Sequence, residues 1–389
     1  MQLLKTLLLS GLLLLFLACS KGDSGTDQTT NPPNNQSGQS PDSGSDSDEN
    51  PADDENTGGQ PDAVDMEDFT AAVADFMANR GLKGGQVAIT RNEKLVYLQS
   101  FGDADDETPV HDQSLFRVAS ISKPITVLAI SRLVADGKLS MGDRVFGTNG
   151  LLGTQYGTPP YQDGVEKITV NELVEHKSGF KNEPYDIMFD EVSLSHQQLI
   201  DRVLDERTYV RSNPYYYSNF GYCLLGRVIE AVTGMSYEDY VEQKILSPMG
   251  ISAMKIGGNT LDERFENEVL YNSSWFDPYA MNVTRMDAHG GWIASAKDLA
   301  RIAVHSDTRS VVPDLLDFGD AESYLENGTY LHYGALPGTL AVLSVNSPFC
   351  YTAVFNTGNA NYDSVLNAFA DFMNDQITSR QEWPEADLF

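Results

Sequence analysis

The stretch Phe116-Arg117-Val118-Ala119-Ser120-Ile121-Ser122-Lys123-Pro124-Ile125-Thr126 sets a serine and a lysine three residues apart in an apolar run. Helical spacing puts Ser120 and Lys123 side by side on one face of a turn. A serine hydroxyl is a weak nucleophile until a neighbouring base takes its proton. Lysine serves as that base, or stabilises the alkoxide, when burial or nearby positive charge lowers its pKa toward neutrality. Val118, Ile121 and Ile125 favour burial, and the free N–H groups of a helix start favour developing negative charge. Ser-x-x-Lys alone also occurs in solvated helices, so its weight depends on its company.

That company lies downstream. The first run continues to Asp136-Gly137-Lys138-Leu139-Ser140, and Tyr215-Tyr216-Tyr217-Ser218-Asn219-Phe220-Gly221 and Leu331-His332-Tyr333-Gly334-Ala335-Leu336-Pro337-Gly338 follow in order. Between and around them stand Ile168 to Phe180, Ser247-Pro248-Met249-Gly250-Ile251 and Gly290-Gly291-Trp292-Ile293-Ala294-Ser295-Ala296-Lys297-Asp298-Leu299. Together these segments resemble the serine β-lactamase and penicillin-binding-protein superfamily. They are most similar to its class C β-lactamase-like branch, which also holds esterases, D-aminopeptidases and D,D-carboxypeptidases. The resemblance runs from about residue 67 to residue 378. A Gly-x-Ser-x-Gly nucleophile elbow is absent, which removes the α/β-hydrolase reading.

The resemblance implies a β-lactamase/transpeptidase-like fold and a Ser120 acyl-enzyme, with Lys123 and Tyr217 handling the proton. It implies that Asn219 contacts the lysine and the substrate, and that His332-Tyr333-Gly334 is the third motif, on a strand edging the site. Gly334 would allow close backbone approach, and the Ala335 N–H would join that of Ser120 in an oxyanion hole. No metal or organic cofactor is implied. Tyr333, Tyr216 and Trp292 are candidates for an acyl pocket, with ordinary packing as the alternative. His289, beside the Gly-Gly-Trp turn, is a candidate to approach the site, whereas His176 and Ser178 are expected to be structural hydrogen-bonding groups.

His332 shapes the substrate expectation. Relatives specialised for β-lactams generally carry lysine there, a permanent charge for the drug's carboxylate, whereas an unperturbed histidine is mostly neutral at pH 7. A lost charge-assisted contact costs on the order of 1.5–3 kcal/mol. Ester, amide or peptide substrates therefore rank above β-lactams. A β-lactamase or D,D-peptidase is the alternative, and a non-catalytic surface binding protein retaining the fold is a second.

The rest of the chain gives the architecture. From Val64, Asp65 is placed to cap a helix carrying Phe69, Val73, Phe76 and Met77 at three- and four-residue spacing. Gln86–Thr90 and Lys94–Leu98 alternate around Arg91-Asn92-Glu93 and read as a hairpin. A helix-rich middle is interrupted by a glycine-rich loop from Gly147 to Gly157. Leu340–Val345 and Tyr351–Phe355 read as strands, and a last amphipathic helix carries Val365, Phe369, Phe372 and Met373. The sum is an α+β domain over 65–389: an antiparallel β-sheet flanked by helices, with an inserted all-helical subdomain.

Composition narrows the setting. With 56 acidic against 26 basic residues in 389, the net charge of −30 argues against nucleic-acid binding and against adsorption to an anionic membrane surface. Lys5, the apolar run Leu7–Leu17 and Ala18 describe a secretory signal over 1–18. Cys19 after Leu17-Ala18 resembles a bacterial lipobox cysteine, and Ser20 in place of Asp favours the outer membrane, on either face. Residues 19–64 hold almost nothing apolar and read as a disordered acidic tether behind a lipidated cysteine. The expected partners are a small-molecule or peptide substrate and, through the anchor, a membrane. Cys223 and Cys350 are expected to be separate buried thiols, and no cysteine or histidine spacing suits a metal.

Overall fold

The computed structural model describes residues 64–211, 214–307, 309 and 329–389. The signal segment 1–18, Cys19 and the tether as far as residue 63 lie outside the described residues.

Helix α1 (Glu67–Arg80) leads into β1 (Gly84–Arg91) and β2 (Lys94–Gly102). The Asp65 carboxylate accepts the Glu67 N–H at 2.8 Å, while Met66 occupies the cap position, one residue later than the sequence suggests. Asn92 and Glu93 have φ of 50° and 65°, giving a two-residue hairpin turn whose twist suits the flanking strands. Short strands β3 (Phe116–Arg117), β4 (Lys255–Ile256) and β5 (Trp292–Ala294) form a small sheet of order β3-β5-β4. Near the end come β6 (Tyr330–Leu336), β7 (Thr339–Val345) and β8 (Phe349–Phe355). The main sheet runs β2-β1-β8-β7-β6 and every pair in it is antiparallel.

Both faces of this sheet are covered, which explains why β7 is buried at every residue. On one face, α1 and the last helix lock together through Phe76 and Phe369, whose rings also meet Phe372 and Phe355. The opposite face takes the helix that begins at Ala296. Gln86 in β1 accepts the Ala296 N–H at 2.9 Å, and Thr352 in β8 donates to the Ala296 carbonyl at 2.7 Å.

The helical part holds α2 (Ser122–Ala135), α3 (Val170–Val174), α4 (Ile187–Asp190), α5 (His196–Glu206), α6 (Asn219–Thr233), α7 (Tyr237–Val241), α8 (Asp287–Gly290) and α9 (Ala296–Val304), and α10 (Tyr362–Ser379) closes the chain. From Ser122 to Leu246 the described residues carry helices and loops and, apart from an isolated bridge between Arg144 and Thr169, no strand. Helices α2 and α6 are apolar around most of their circumference because both run through the interior. Cys223 on α6 and Cys350 on β8 are separate buried free thiols, as their positions in the chain suggested. Among the described residues no helix is long and apolar enough to cross a membrane.

Candidate active site

The site forms where β3 turns into α2. Ala119 has φ of 48°, a left-handed conformation that costs a residue with a Cβ roughly 1 kcal/mol or more. A small apolar cluster of Ala119, Met281, Val283, Met286 and Leu336 holds it there. The sharp turn leaves Ser120 partly exposed in a single 3-10 turn, Ala119–Ile121, that runs directly into α2.

Lys123 follows one turn later and is wholly buried. Its Nζ donates to Ser120 Oγ at 3.1 Å and to the His289 carbonyl at 2.8 Å. The ammonium also lies 4.7 Å from the centre of the Tyr217 ring and 5.7 Å from that of Tyr222. Burial drives the Lys123 pKa from 10.5 down to about 7, against an opposing pull from the Asp186 carboxylate. Tyr217 donates its hydroxyl to Ser120 Oγ at 2.8 Å from the other side, and burial pushes its pKa well up. Ser120 Oγ thus accepts from a tyrosine kept protonated and from an amine poised near neutrality.

Tyr217 is set by its neighbours. Its ring lies 4.6 Å from that of His176, whose Nδ1 accepts the Ser218 N–H at 3.1 Å. Burial holds His176 well below its ordinary pKa, so the ring is neutral and free to accept that bond. Ser178 contributes through its carbonyl, which accepts the Tyr209 hydroxyl at 2.7 Å. Ser218 caps α6, and Asn219 opens it.

The strand β6 closes the site. A Cβ placed on Gly334 would lie 2.1 Å from the Val118 carbonyl oxygen and 3.3 Å from the Ala119 Cβ, so only glycine permits this approach. His332, two residues earlier on the same face, hydrogen-bonds the Ser120 backbone. Burial and the nearby Lys123 push the His332 pKa down to about 3, leaving the ring uncharged. Its position presents no permanent cation to a substrate.

A sequence model of the beta-lactamase family matches residues 69–332. The chain belongs to that family. Its relatives within the wider superfamily are hydrolases of several kinds. A penicillin-binding protein of Bacillus subtilis is 31% identical over 192 residues, covering 47% of this chain and 40% of the relative. Esterase EstB of Burkholderia gladioli is 32% identical over 206 residues, covering 49% of this chain and 51% of the relative. The chain thus spans about half the length, or less, of these curated relatives. The D-amino acid amidase of Ochrobactrum anthropi superposes with a TM-score of 0.66 at 20% identity, covering 80% of this chain and 99% of that one. A penicillin-binding protein homologue from Pyrococcus abyssi gives 0.63 at 22% identity, covering 80% and 78%. At those identities the likeness is one of fold: the beta-lactamase-like α+β arrangement of helices and antiparallel sheet.

Within this family frame Trp292, Tyr333 and Asn219 sit elsewhere than the sequence suggested, while His289 does approach the site. Trp292 has no exposed surface; its indole N–H donates to the Tyr237 hydroxyl at 3.1 Å, so it belongs to the core and not to a pocket wall. Tyr333 follows His332 on β6 and therefore points to the opposite face, where its hydroxyl senses Tyr351 and Asp371 of α10. Tyr216 packs by the 181–186 loop, with Lys181 Nζ 5.9 Å from its ring centre. His289 meets Lys123 through its carbonyl, while its ring is buried in the interior and held well below its ordinary pKa. The Asn219 amide goes to Asp186, Nδ2 to Oδ2 at 2.7 Å, rather than to the lysine. Asp186 itself, the cap of α4, went unnoticed in the sequence because it carries no motif.

Proposed function

We propose that this chain is a serine hydrolase that turns over ester or amide substrates through an acyl-enzyme on Ser120. The observation that carries the reading is the pair of contacts on Ser120 Oγ, 3.1 Å from Lys123 Nζ and 2.8 Å from the Tyr217 hydroxyl. In the first half-reaction Oγ bonds to the substrate carbonyl carbon and its proton passes to neutral Lys123. The tetrahedral oxyanion is received by the N–H groups of Ser120 and Ala335. The bond to the leaving group breaks, and the leaving group takes a proton through Tyr217, which the lysine resupplies. Water then adds to the acyl carbon, its proton passes along the same path to Ser120 Oγ as the ester bond to Ser120 breaks, and the acid is released.

The uncharged His332 favours esters, amides and peptides over β-lactams, whose carboxylate gains most from a fixed cation. A purely binding role is disfavoured, because Ser120 is accessible and flanked by an intact proton path. We further propose that Cys19 carries the lipid that tethers the domain to an outer membrane, on the strength of Lys5, Leu7–Leu17 and Ser20. Radiolabelled palmitate should enter the full chain and not Cys19→Ser.

A fluorophosphonate probe should label the wild-type protein and leave Ser120→Ala unlabelled. Failure to label folded wild-type protein rejects the hydrolase reading. One preparation offered p-nitrophenyl esters, D-alanyl peptides and a chromogenic cephalosporin should show the cephalosporin as the poorest substrate. Efficient cephalosporin turnover would reverse the ranking drawn from His332.

A further inference from the structure

Asp287 opens α8, the four-residue turn whose His289 carbonyl holds Lys123. Its carboxylate is buried, and Arg227, itself buried, reaches it from α6: the guanidinium Nη2 donates to Oδ2 at 2.6 Å. The same guanidinium grips Glu230 one turn later on α6, Nε to Oε2 at 2.6 Å and Nη2 to Oε1 at 3.0 Å. The other Asp287 oxygen accepts the Ala288 N–H at 2.6 Å and lies 3.6 Å from His196 Nε2. Burial pushes the Asp287 carboxyl up, but the Arg227 charge outweighs it and holds the group below its ordinary pKa, so the pair is ionic near pH 7. The acyl-transfer steps above use neither residue.

The pair sits between the mounts of the two proton-handling groups. Toward α2, α8 offers two successive carbonyls: Ala288 accepts the Thr126 hydroxyl at 2.6 Å, and His289 accepts Lys123 Nζ at 2.8 Å. Toward α6 it packs so closely that a Cβ on Gly226 would lie 2.8 Å from the Ala288 Cβ. Gly226 adjoins Arg227, so close approach and ion pair act at one place on α6, the helix that opens two residues after Tyr217. Met286, at the cap position of α8, adds no side-chain bond. The chain just before α8 is tied elsewhere, by Arg285 to the Leu194 and Met188 carbonyls at 2.6 and 3.0 Å.

We infer that Arg227 is a positioning residue: its ion pair with Asp287 fixes α8 to α6 and so holds the His289 carbonyl, and with it Lys123, in register with Tyr217 at Ser120. This rests on the reading of Ser120 as nucleophile with Lys123 and Tyr217 as its proton path. Tyr217 reaches Ser120 from the start of α6, and Lys123 reaches it from α2 while anchored on α8. The pair joins those two mounts from behind. Removing the cation strands a charged carboxylate in the interior and frees α8 to draw its carbonyls back from α2.

The test is kcat and KM on a p-nitrophenyl ester for wild type, Arg227→Met, Arg227→Lys and the double variant Arg227→Met/Asp287→Asn, with rates divided by the sites that a fluorophosphonate labels to completion. The double variant removes both charges and keeps a side-chain acceptor for the Ala288 N–H, so it should resist urea better than Arg227→Met. Its kcat per labelled site should nevertheless fall roughly 10- to 100-fold with KM little changed, and labelling should slow by the same factor. Arg227→Lys keeps a cation for one carboxylate and should recover part of that rate. Gly137→Ala, strained where nothing lies within 4 Å of the added Cβ, should keep the wild-type kcat per labelled site. A labelled double variant with wild-type kcat overturns the inference, as does a loss carried wholly by KM or an equal fall in Gly137→Ala. So does a set of Arg227 variants none of which takes the probe, because the pair would then serve folding alone. A wild-type protein that resists the probe would instead reject the hydrolase reading itself.

Discussion

Replacing Gly334 with alanine tests the geometry of the site most directly. The new Cβ would lie 2.1 Å from the Val118 carbonyl oxygen and 3.1 Å from its carbonyl carbon. An ordinary C···O contact is about 3.3 Å, so strand and turn must part by about 1 Å. The strand cannot yield freely, because β6 is paired with β7 from Tyr330–Val345 to Leu336–Thr339. The turn is no freer, since Ala119 already has φ of 48°. Separation would carry the Ala335 N–H and His332 away from Ser120. A displacement of that size costs on the order of 10²-fold in rate, and overpacking costs about 1–3 kcal/mol of stability. The assay is kcat/KM on a p-nitrophenyl ester beside urea unfolding of the same preparation. Gly137→Ala is the control: its φ is 66° and nothing lies within 4 Å of the added Cβ, so it should lose stability without losing rate. A Gly334→Ala enzyme with wild-type kcat/KM would refute the close approach and the oxyanion role inferred from it.

Other outcomes follow from the buried groups. Lys123 falls from 10.5 to about 7 on folding, a penalty of about 5 kcal/mol whenever the folded state must hold the proton. The unfolded chain takes that proton more readily, so stability should climb between pH 7 and pH 10.5 and the penalty should be complete below pH 7. Lys123→Met relieves it but strands the His289 carbonyl, at a cost of about 1–3 kcal/mol, for a net gain of about 2–4 kcal/mol at pH 6 alongside lost activity. Calorimetry showing no gain would contradict the depressed pKa. The same group should give wild type an acidic limb in kcat/KM near pH 7. Trp292→Phe deletes the bond to the Tyr237 hydroxyl and part of a fully buried ring, so it should lower the unfolding midpoint and leave KM unchanged. A KM change without a stability change would return Trp292 to the pocket.

The parts of this protein legible in its sequence are those with local physical signatures. The hairpin at Asn92-Glu93, the strands β7 and β8 and the helix start at Ser122 follow from alternation, turn chemistry and apolar spacing. What escaped depends on the assembled fold. Nothing in Ala119 announces a left-handed backbone, because alanine avoids it and only tertiary packing enforces it. Asp186 meets Asn219 across 33 positions of chain. Tyr333 is a different kind of miss, since the two-residue period of a strand already assigns it to the face opposite His332 and Gly334. Proximity in sequence to a glycine-marked motif is not proximity in space, and for Trp292 the packing alternative is the one the fold realises.

The lysine's second anchor is a main-chain carbonyl, and this has a consequence for how the protein can change. A contact made by the His289 backbone is blind to the identity of that side chain. What the lysine requires is the path of the chain, which Gly291 secures by passing where a Cβ would meet the Val283 carbonyl at 2.8 Å and the Asp287 N–H at 2.9 Å. Position 289 is therefore free to drift, so long as its replacement fits the interior, while position 291 is not. The reactive amine is registered against the scaffold rather than against a neighbour's side chain, so one of its two hydrogen bonds survives any substitution that spares the loop.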